Sequence, residues 1–220
     1  MERKIGPVKP RRRYDSSRRQ RQALRTREVI LETARQLFLS RGYAGATIAS
    51  IAEAADVSVE TIYKAFGGKP GLVRAISDKG LEGVGLIPAE RRSDDMRTLE
   101  TDPYKVMERW GVFTTEVAPV AAPIALLIRT AAATDPEMAG LLEDLDQARL
   151  VRMEHNARQL LERGDFREGV TLEHARDVLW AYSSPELYRM LVLRQRWPLE
   201  RYGQFVADGM IAALLPPRGR

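Results

Sequence analysis

The chain has no cysteine, only two histidines, and no uncharged apolar run of membrane-spanning length. Without thiols it forms neither a disulfide framework nor a thiolate zinc site, and it has no cysteine nucleophile. The longest uncharged apolar run, Val117 to Ile128, has 12 residues, whereas a spanning helix needs about 20. No apolar segment follows the basic N-terminus, so a secretory signal is not expected. These absences predict a cytoplasmic protein without a membrane partner.

Motifs for catalysis and cofactor binding are also missing. His155 and His174 have no ligand-like partner three or four residues away, which argues against a metal site. The Gly67-Gly68-Lys69 segment is too short for a phosphate-binding loop and follows no predicted strand. No Ser/His/Asp arrangement finds support in the sequence. We therefore expect no enzymatic activity, no cofactor and no metal.

Charge is distributed unevenly along the 220 residues. Residues 1–28 contain 11 Lys and Arg against 3 Asp and Glu, a net charge of +8, whereas the remainder carries −3. A basic segment ahead of a slightly acidic body is typical of a protein that binds nucleic acid. The alternative is a solvated leader that only maintains solubility. Residues 1–24 show no apolar period and are predicted to be a disordered basic arm.

The spacing of apolar residues beyond the arm predicts an all-α protein. Apolar pairs recur three and four residues apart in a first helix from Thr26 to Arg41-Gly42. Thr47 and Ser58 are predicted to cap the second and third helices, and Pro70 suits the first turn of a fourth. No stretch shows the sustained alternation of a β-strand. The N-terminal helices therefore predict a small bundle.

The rest of the chain predicts a larger helical bundle behind a polar linker at residues 85–102. Pro119 is predicted to end one helix and Pro123 to begin the next, because proline disrupts a helix interior. Several of these helices begin where a capping residue precedes proline. The predicted starts are Asp102-Pro103, Pro123, Asp135-Pro136, Thr171, Ser184-Pro185 and Pro198.

The segment from Thr47 to Phe66 has the pattern of two short helices joined by a tight turn. Ala52 is small where the helices would cross, and Val57 and Ile62 supply apolar contacts. Such a unit buries one helix and projects the other, which then fits the DNA major groove, about 12 Å wide. An ordinary pair of core helices is the alternative, but the basic arm favours DNA binding.

Thr26 to about Ile76 resembles the DNA-binding domain of the TetR family of transcriptional regulators. Asp56 departs from the family at a turn position that is usually glycine, although aspartate tolerates a left-handed conformation. Ala65 stands where members often carry an aromatic residue or histidine. The resemblance is carried, in order and spacing, by TREVILETARQLFLSRGYAGAT, TIASIAEAADVS and VSVETIYKAFGGKPGLVRAI, while SPELYRMLVLRQRWPLERY is similar to a dimerising segment of some members.

The resemblance implies a binding site for double-stranded DNA around the third helix. Thr47, Tyr63 and Lys69 match positions that usually hold phosphates, and a lysine beside a helix N-terminus is a suitable phosphate seat. Glu60 is repelled by phosphates, so it either accepts a hydrogen bond from a cytosine amine or faces solvent. The predicted DNA-binding residues are Thr47, Ser58, Val59, Glu60, Thr61, Tyr63, Lys64 and Lys69.

The C-terminal bundle is predicted to hold a small apolar effector and to form a homodimer. Methionine and tryptophan inside a helical bundle favour an apolar ligand site, and Glu116 or Arg129 would add a polar contact if it turned inward. The predicted effector-binding residues are Met107, Trp110, Phe113, Leu127, Met138, Leu142 and Trp180. The predicted dimer residues, on helices at about 185–196 and 198–215, are Leu187, Leu191, Phe205, Val206, Met210 and Ala213.

Together these patterns predict a disordered arm at 1–24, a helix-turn-helix domain at 25–70 and an effector-binding and dimerisation domain at 71–220. The predicted function is that of a homodimeric repressor that leaves a palindromic operator when an effector binds. The sequence leaves two alternatives open, a DNA-binding regulator without a small-molecule ligand and a helical adaptor that binds proteins. Salt dependence separates DNA binding from adaptor function.

Overall fold

The structure, a computed structural model, describes residues 16–82 and 89–218. Within these two ranges the chain folds into helices without a strand, so the predicted all-α class is confirmed. The helices are α1 (Ser16–Gly45), α2 (Ile48–Ala54), α3 (Val59–Phe66), α4 (Lys69–Glu82), α5 (Ala89–Leu99), α6 (Pro103–Ala131), α7 (Pro136–Glu162), α8 (Leu172–Tyr182), α9 (Pro185–Tyr188), which continues as a π-helix (Arg189–Arg194), and α10 (Leu199–Leu214).

The first helix is longer than the sequence predicted. It begins at Ser16 rather than at Thr26, so the prediction of disorder is wrong for residues 16–24. Arginine, glutamine, alanine and leucine in this stretch are good helix formers, and extending a helix that is already packed requires no new nucleus. Gly42 adopts a non-helical φ of 72°, which interrupts α1 where the sequence predicted its end. Residues 1–15 of the predicted arm lie outside the described residues.

The predicted polar linker contains a helix, α5, and this is a second correction. Charged residues of α5 find partners on the neighbouring helices, which stabilise it in spite of its polar sequence. The Arg92 guanidinium pairs with Glu116 on α6 at 2.6 Å, and Asp94 pairs with Arg152 on α7 at 2.8 Å. Residues 85–88 of the predicted linker lie outside the described residues.

Pro119 and Pro123 lie inside α6, so the predicted break between two helices is wrong. Each proline removes a backbone donor and costs a helix interior about 3 kcal/mol. Tertiary packing outweighs this cost, because α6 is buried on both sides of the prolines. Met107 is fully buried in its first half and Ile128 in its second half.

By length and composition alone, α6 would also be able to cross a membrane. A helix at the centre of a water-soluble bundle passes the same test, so these two properties are weak grounds for a membrane span. Here the apolar residues of α6 take part in both hydrophobic cores of the described chain.

Two hydrophobic cores organise the described residues, and α6 contributes to both. The head core joins α1–α4 to the second half of α6 and the start of α7, through Ile124, Ile128 and Met138 among others. The body core joins the first half of α6 to α7, α8, α9 and α10. Helices α1 and α4 therefore pack directly on α6, so the helix-turn-helix unit is connected to the C-terminal region through these two helices.

Candidate DNA interface and ligand cavity

The α2–turn–α3 unit is built by side-chain caps and one left-handed residue. The Ser50 N–H donates to Thr47 Oγ1 at 3.0 Å, and the Thr47 N–H donates to Ser50 Oγ at 3.2 Å, which forms a reciprocal cap. The Thr61 N–H donates to Ser58 Oγ at 3.2 Å. Asp56 adopts a φ of 52°, so the turn forms without the family's usual glycine. The caps predicted at Thr47 and Ser58 are confirmed.

Helix α3 buries one face and exposes the other. Ile62 is fully buried against α2, where Ala52 permits a close approach. Tyr63 is 53% exposed, so its ring is not packed in the core. The exposed members of the predicted DNA-binding set are Thr47, Ser58, Val59, Glu60, Tyr63 and Lys64, while Thr61 and Lys69 are half-buried. The arrangement presents hydroxyl, ammonium and apolar groups to a partner.

Lys69 is connected to the C-terminal region through two residues that the sequence did not identify as functional. Its ammonium group lies 4.1 Å from the centroid of the Tyr43 ring. Burial raises the pKa of Tyr43, and the negative charge of Asp135 raises it further. Burial lowers the pKa of Lys69, and the Asp135 charge opposes that shift. Asp135 was recognised in the sequence only as the cap of the seventh helix.

Asp135 also anchors the first turn of α7. Its Oδ1 accepts hydrogen bonds from the backbone N–H groups of Glu137 at 2.9 Å and Met138 at 3.2 Å. One carboxylate therefore joins the start of α7 to the end of α1 and, through Tyr43, to the start of α4. Sequence analysis cannot find such a link, because its members are about 90 residues apart along the chain.

Arg27 is a second contact that the sequence did not predict. Its guanidinium group lies 4.3 Å from the centroid of the Phe66 ring. Its Nη1 donates to the backbone oxygen of Ala65 at 3.2 Å. This basic residue of α1 therefore supports the C-terminal end of α3.

A cavity of about 300 Å³ lies between α6, α7, α8 and α10. Helices α4 and α5 each add a serine to its wall, Ser77 and Ser93. Most of the wall is apolar, with small side chains along α6. Its aromatic members are Trp110, Phe113, Tyr182, Tyr188 and Tyr202. The volume is at the lower end of the range for small-molecule sites.

Three of the seven predicted effector-binding residues line this cavity: Trp110, Phe113 and Leu142. The other four do not. Met107 and Met138 are fully buried, in the body core and the head core respectively. Leu127 packs against the head core, and the Trp180 ring lies under the Arg149 guanidinium at 4.3 Å. The correction has one physical reason: an apolar helical stripe does not reveal which members are covered by neighbouring helices.

The sequence also missed most of the charge on the cavity wall. Arg129 lines the cavity, but its ion pairs are with Asp146 at 3.0 Å and Glu186 at 2.6 Å. Glu116, the other polar candidate, pairs with Arg92 instead. Further charged wall residues are Asp146, Arg149 and Arg152. Apolar spacing along a helix does not indicate which charged residues line a cavity, so these residues were not predicted.

The predicted dimer residues fall into two groups. Val206 and Met210 are 1% and 4% exposed, face the cavity and belong to the body core, so their assignment to a protomer surface is wrong. Leu187, Leu191 and Ala213 are half-buried against the same core. Phe205 is 39% exposed. One face of α10 therefore points to the interior and another to the surface, and apolar spacing alone did not separate them.

An aromatic cluster surrounds Phe205 on this surface. Its ring centroid lies 5.6 Å from that of Trp197 and 6.1 Å from that of Tyr182. The neighbouring π-helix exposes Met190 and Leu193 by about half. We call the face formed by Tyr182, Trp197 and Phe205 the aromatic face. The sequence did not predict the exposure of Met190 and Leu193 on the π-helix.

Comparison with known proteins places this architecture. Residues 30–76 match the model of bacterial regulatory proteins of the tetR family. The chain is 36% identical over 92 residues to the regulator TtgR of Pseudomonas putida, which is 42% of each chain. It is 38% identical over 69 residues to the uncharacterised regulator YvkB of Bacillus subtilis, which is 31% of this chain and 36% of YvkB. The aligned region thus spans about two-fifths of these relatives' length.

Solved structures resemble nearly the whole chain. SmeT in complex with triclosan superposes with a TM-score of 0.69 at 22% identity, over 88% of this chain and 93% of SmeT. NalD, a repressor of a multidrug efflux pump in Pseudomonas aeruginosa, superposes with a TM-score of 0.71 at 18% identity, over 89% of this chain and 99% of NalD. At these identities the likeness establishes the fold. The capped helix-turn-helix unit and the family model that matches residues 30–76 identify the N-terminal region as similar to the DNA-binding domain of TetR-family regulators, and the chain as a whole shares their fold.

Proposed function

We propose that the protein is a homodimeric, cytoplasmic repressor that binds a palindromic operator and leaves it when a small, largely apolar effector binds. One observation carries the DNA-binding part: α3 buries Ile62 while exposing Tyr63 and Lys64. A helix held in this way presents a constant set of side chains to the major groove. Sequence similarity to TtgR over the N-terminal region supports the same assignment.

Each side chain of the interface has a proposed role. Thr47, Tyr63 and Lys69 contact phosphates and position the protein on the duplex, and Ser58 caps the reading helix. The residues proposed to face base edges are Val59, Glu60, Thr61 and Lys64. Phosphate contacts provide affinity without sequence preference, whereas base contacts provide preference.

The dimer is proposed to form through the aromatic face and the neighbouring π-helix. Phe205, Met190 and Leu193 are 39%, 51% and 49% exposed, which is unusual for large apolar residues of a soluble domain. A two-fold axis through this face would present two α3 helices to successive major grooves. Half-sites would then lie about 34 Å apart, or a multiple of that distance.

The cavity is the proposed effector site. Its wall includes Ser77 of α4, the helix that follows the helix-turn-helix unit, and Ile128 of α6, which belongs to the head core. A ligand that displaces α4 or α6 would therefore shift the helix-turn-helix unit. SmeT, which shares the fold, has been solved with triclosan, and this favours a small-molecule ligand here.

The energetic requirement for this control is modest. A coupling free energy of about 1–3 kcal/mol changes operator affinity by roughly 5- to 150-fold. Linkage is reciprocal, so operator DNA must weaken effector binding by the same factor. Calorimetry of a bound compound with and without operator measures this factor. Equal affinities would show that the compound is not an inducer and would favour the regulator without a ligand.

Selection of bound fragments from a random DNA pool tests the DNA-binding part directly. We expect enrichment of a palindrome and, for a dimer that contacts 6–10 phosphates, a salt slope of about −5 to −9 on a log–log plot. The same titrations with the Lys69→Ala variant test whether this residue contacts a phosphate. The dependence of its DNA affinity on salt concentration should be shallower. An unenriched pool with no salt dependence would instead favour the adaptor alternative.

A further inference from the structure

The cavity has an apolar interior and a polar mouth. Its exposed wall residues are Arg129, Ala148 and Ser183, which lie on α6, on α7 and at the end of α8. The opening therefore lies between these three elements. Trp110, by contrast, is only 6% exposed and lies in the interior. An occupant of this site would place a flat apolar body inside and a polar group at the mouth.

Arg149 stands beside this mouth with an incomplete set of partners. Its Nη1 donates to the Trp180 backbone oxygen at 2.6 Å and to Ser183 Oγ at 3.1 Å. Its Nη2 is buried and has no acceptor within hydrogen-bonding distance. The carboxylate oxygen Asp146 Oδ1 is 3.7 Å from that nitrogen, too far for a hydrogen bond.

The charges around Arg149 do not compensate its burial. Desolvation lowers the pKa of Arg149, and this effect exceeds the opposing effects of Asp146 and Glu186. Both carboxylates are in addition held by Arg129, at 3.0 and 2.6 Å. Since Arg129 shares these two acids, a further negative group beside Arg149 would stabilise its buried charge.

We propose that the effector is an aromatic molecule with a single weakly acidic group, its ring in the cavity and its anionic oxygen on Arg149. This inference rests on the proposed effector site. A cavity of about 300 Å³ equals the liquid volume of about ten water molecules, which suits one or two fused rings. The wall combines small α6 side chains with the rings of Trp110, Phe113 and Tyr188.

Isothermal titration calorimetry of the full chain with three naphthalene derivatives tests the proposal. Naphthoate, naphthamide and naphthylmethylammonium share one ring system and differ in the charge of the attached group. We expect naphthoate to bind at least about tenfold more tightly than naphthamide, because a hydrogen bond to an ionised partner is the stronger kind. The ammonium compound should bind most weakly of the three.

The Arg149→Met variant removes the guanidinium group while retaining an apolar stem. It should bind naphthoate and naphthamide with equal affinity. Arg158→Met is the matched control: Arg158 lies on the same helix but outside the cavity, and it pairs with Glu154 at 2.6 Å. That control should keep the preference for naphthoate. If Arg149→Met does not fold, Arg149→Lys should reduce the preference several-fold, because lysine lacks the planar donor pair.

The outcomes separate this inference from the proposed function. Tightest binding of the ammonium compound, or a naphthoate preference that survives in Arg149→Met, would overturn the inference. Equal binding of naphthoate and naphthamide to the unmodified protein would overturn it while leaving an apolar effector in place. Binding of none of the three would overturn it as well, and operator titrations run in parallel would show whether DNA recognition stands independently.

Discussion

The Lys69 ammonium group lies 4.1 Å from the centroid of the Tyr43 ring, and the Asp135 carboxylate at the start of α7 raises the pKa of the hydroxyl group of that ring. A residue proposed to hold a DNA phosphate is thus in contact with a residue anchored to the C-terminal region. A second link runs beside it, since Arg74 on α4 pairs with Asp144 on α7 at 2.6 Å. These contacts connect α7 to α1 and α4, the helices that flank the helix-turn-helix unit.

Replacing Tyr43 with phenylalanine should lower stability while preserving the ring under Lys69. The variant loses the interaction of a half-buried hydroxyl group with the Asp135 carboxylate, and we expect the free energy of unfolding to fall by about 1 kcal/mol. Urea denaturation measures the change. Tyr63→Phe is the matched control, because the Tyr63 side chain is 53% exposed. Equal stability of the two variants would contradict the role assigned to the Tyr43 hydroxyl group.

Phosphate and base contacts should respond differently to truncation. Tyr63→Ala and Lys69→Ala should weaken binding to every DNA sequence and make the salt slope shallower. Lys64→Ala and Thr61→Ala should change which sequence is preferred, by about 1–3 kcal/mol at the contacted position. Titrations of the selected operator and of single-base variants distinguish the two patterns. An unchanged affinity and preference in Lys64→Ala would refute the placement of α3 in the groove.

Two glycines in helices should respond to alanine with opposite signs. A Cβ atom at Gly111 would overlap with the Gly203 backbone oxygen and lie 2.8 Å from the Ala207 Cβ, where α6 crosses α10. Gly111→Ala should therefore destabilise the protein by about 1–3 kcal/mol. Gly140 on α7 has no atom within 4 Å of the same position, so Gly140→Ala should stabilise by about 0.5–1 kcal/mol. Thermal unfolding of both variants checks the signs.

The aromatic face should control the oligomeric state. Phe205→Glu places a charge in the proposed dimer contact, and sedimentation should show a monomer at micromolar concentration with little loss of helix content. Val112→Glu is the control, because Val112 is 62% exposed on α6, outside the aromatic face. A dimeric Phe205→Glu variant would place the interface elsewhere. Val206→Glu should unfold the protein, because Val206 is 1% exposed.

The basic N-terminal segment should add affinity without adding much sequence preference. Its arginines can follow phosphates or enter the minor groove beside the helix-turn-helix unit. Deleting residues 1–22 should weaken operator binding most at low salt and leave the selected sequence largely unchanged. Filter binding at several salt concentrations measures the effect. Equal affinity of the two proteins at low salt would show that the segment is only a solvated leader.

Local chemistry explains which elements the sequence predicted well. Thr47 and Ser58 carry their own hydrogen-bonding groups to the helix starts, and Gly67 ends α3 with a φ of 76° that glycine adopts readily. Ile62 follows the helical period and is buried as that period requires. The DNA-facing side of α3 is then the remaining face. Such features involve residues within about four positions of each other, so they can be predicted from the sequence alone.

The sequence by itself determined the all-α class, the capped reading head and its family resemblance, because short-range spacing and capping decide them. Only the tertiary structure decided that α6 continues through Pro119 and Pro123 and which apolar residues line the cavity. It also decided that Val206 faces the core while Phe205 faces solvent. These outcomes depend on which helices cover each face. Contacts between residues far apart in the chain decide that packing.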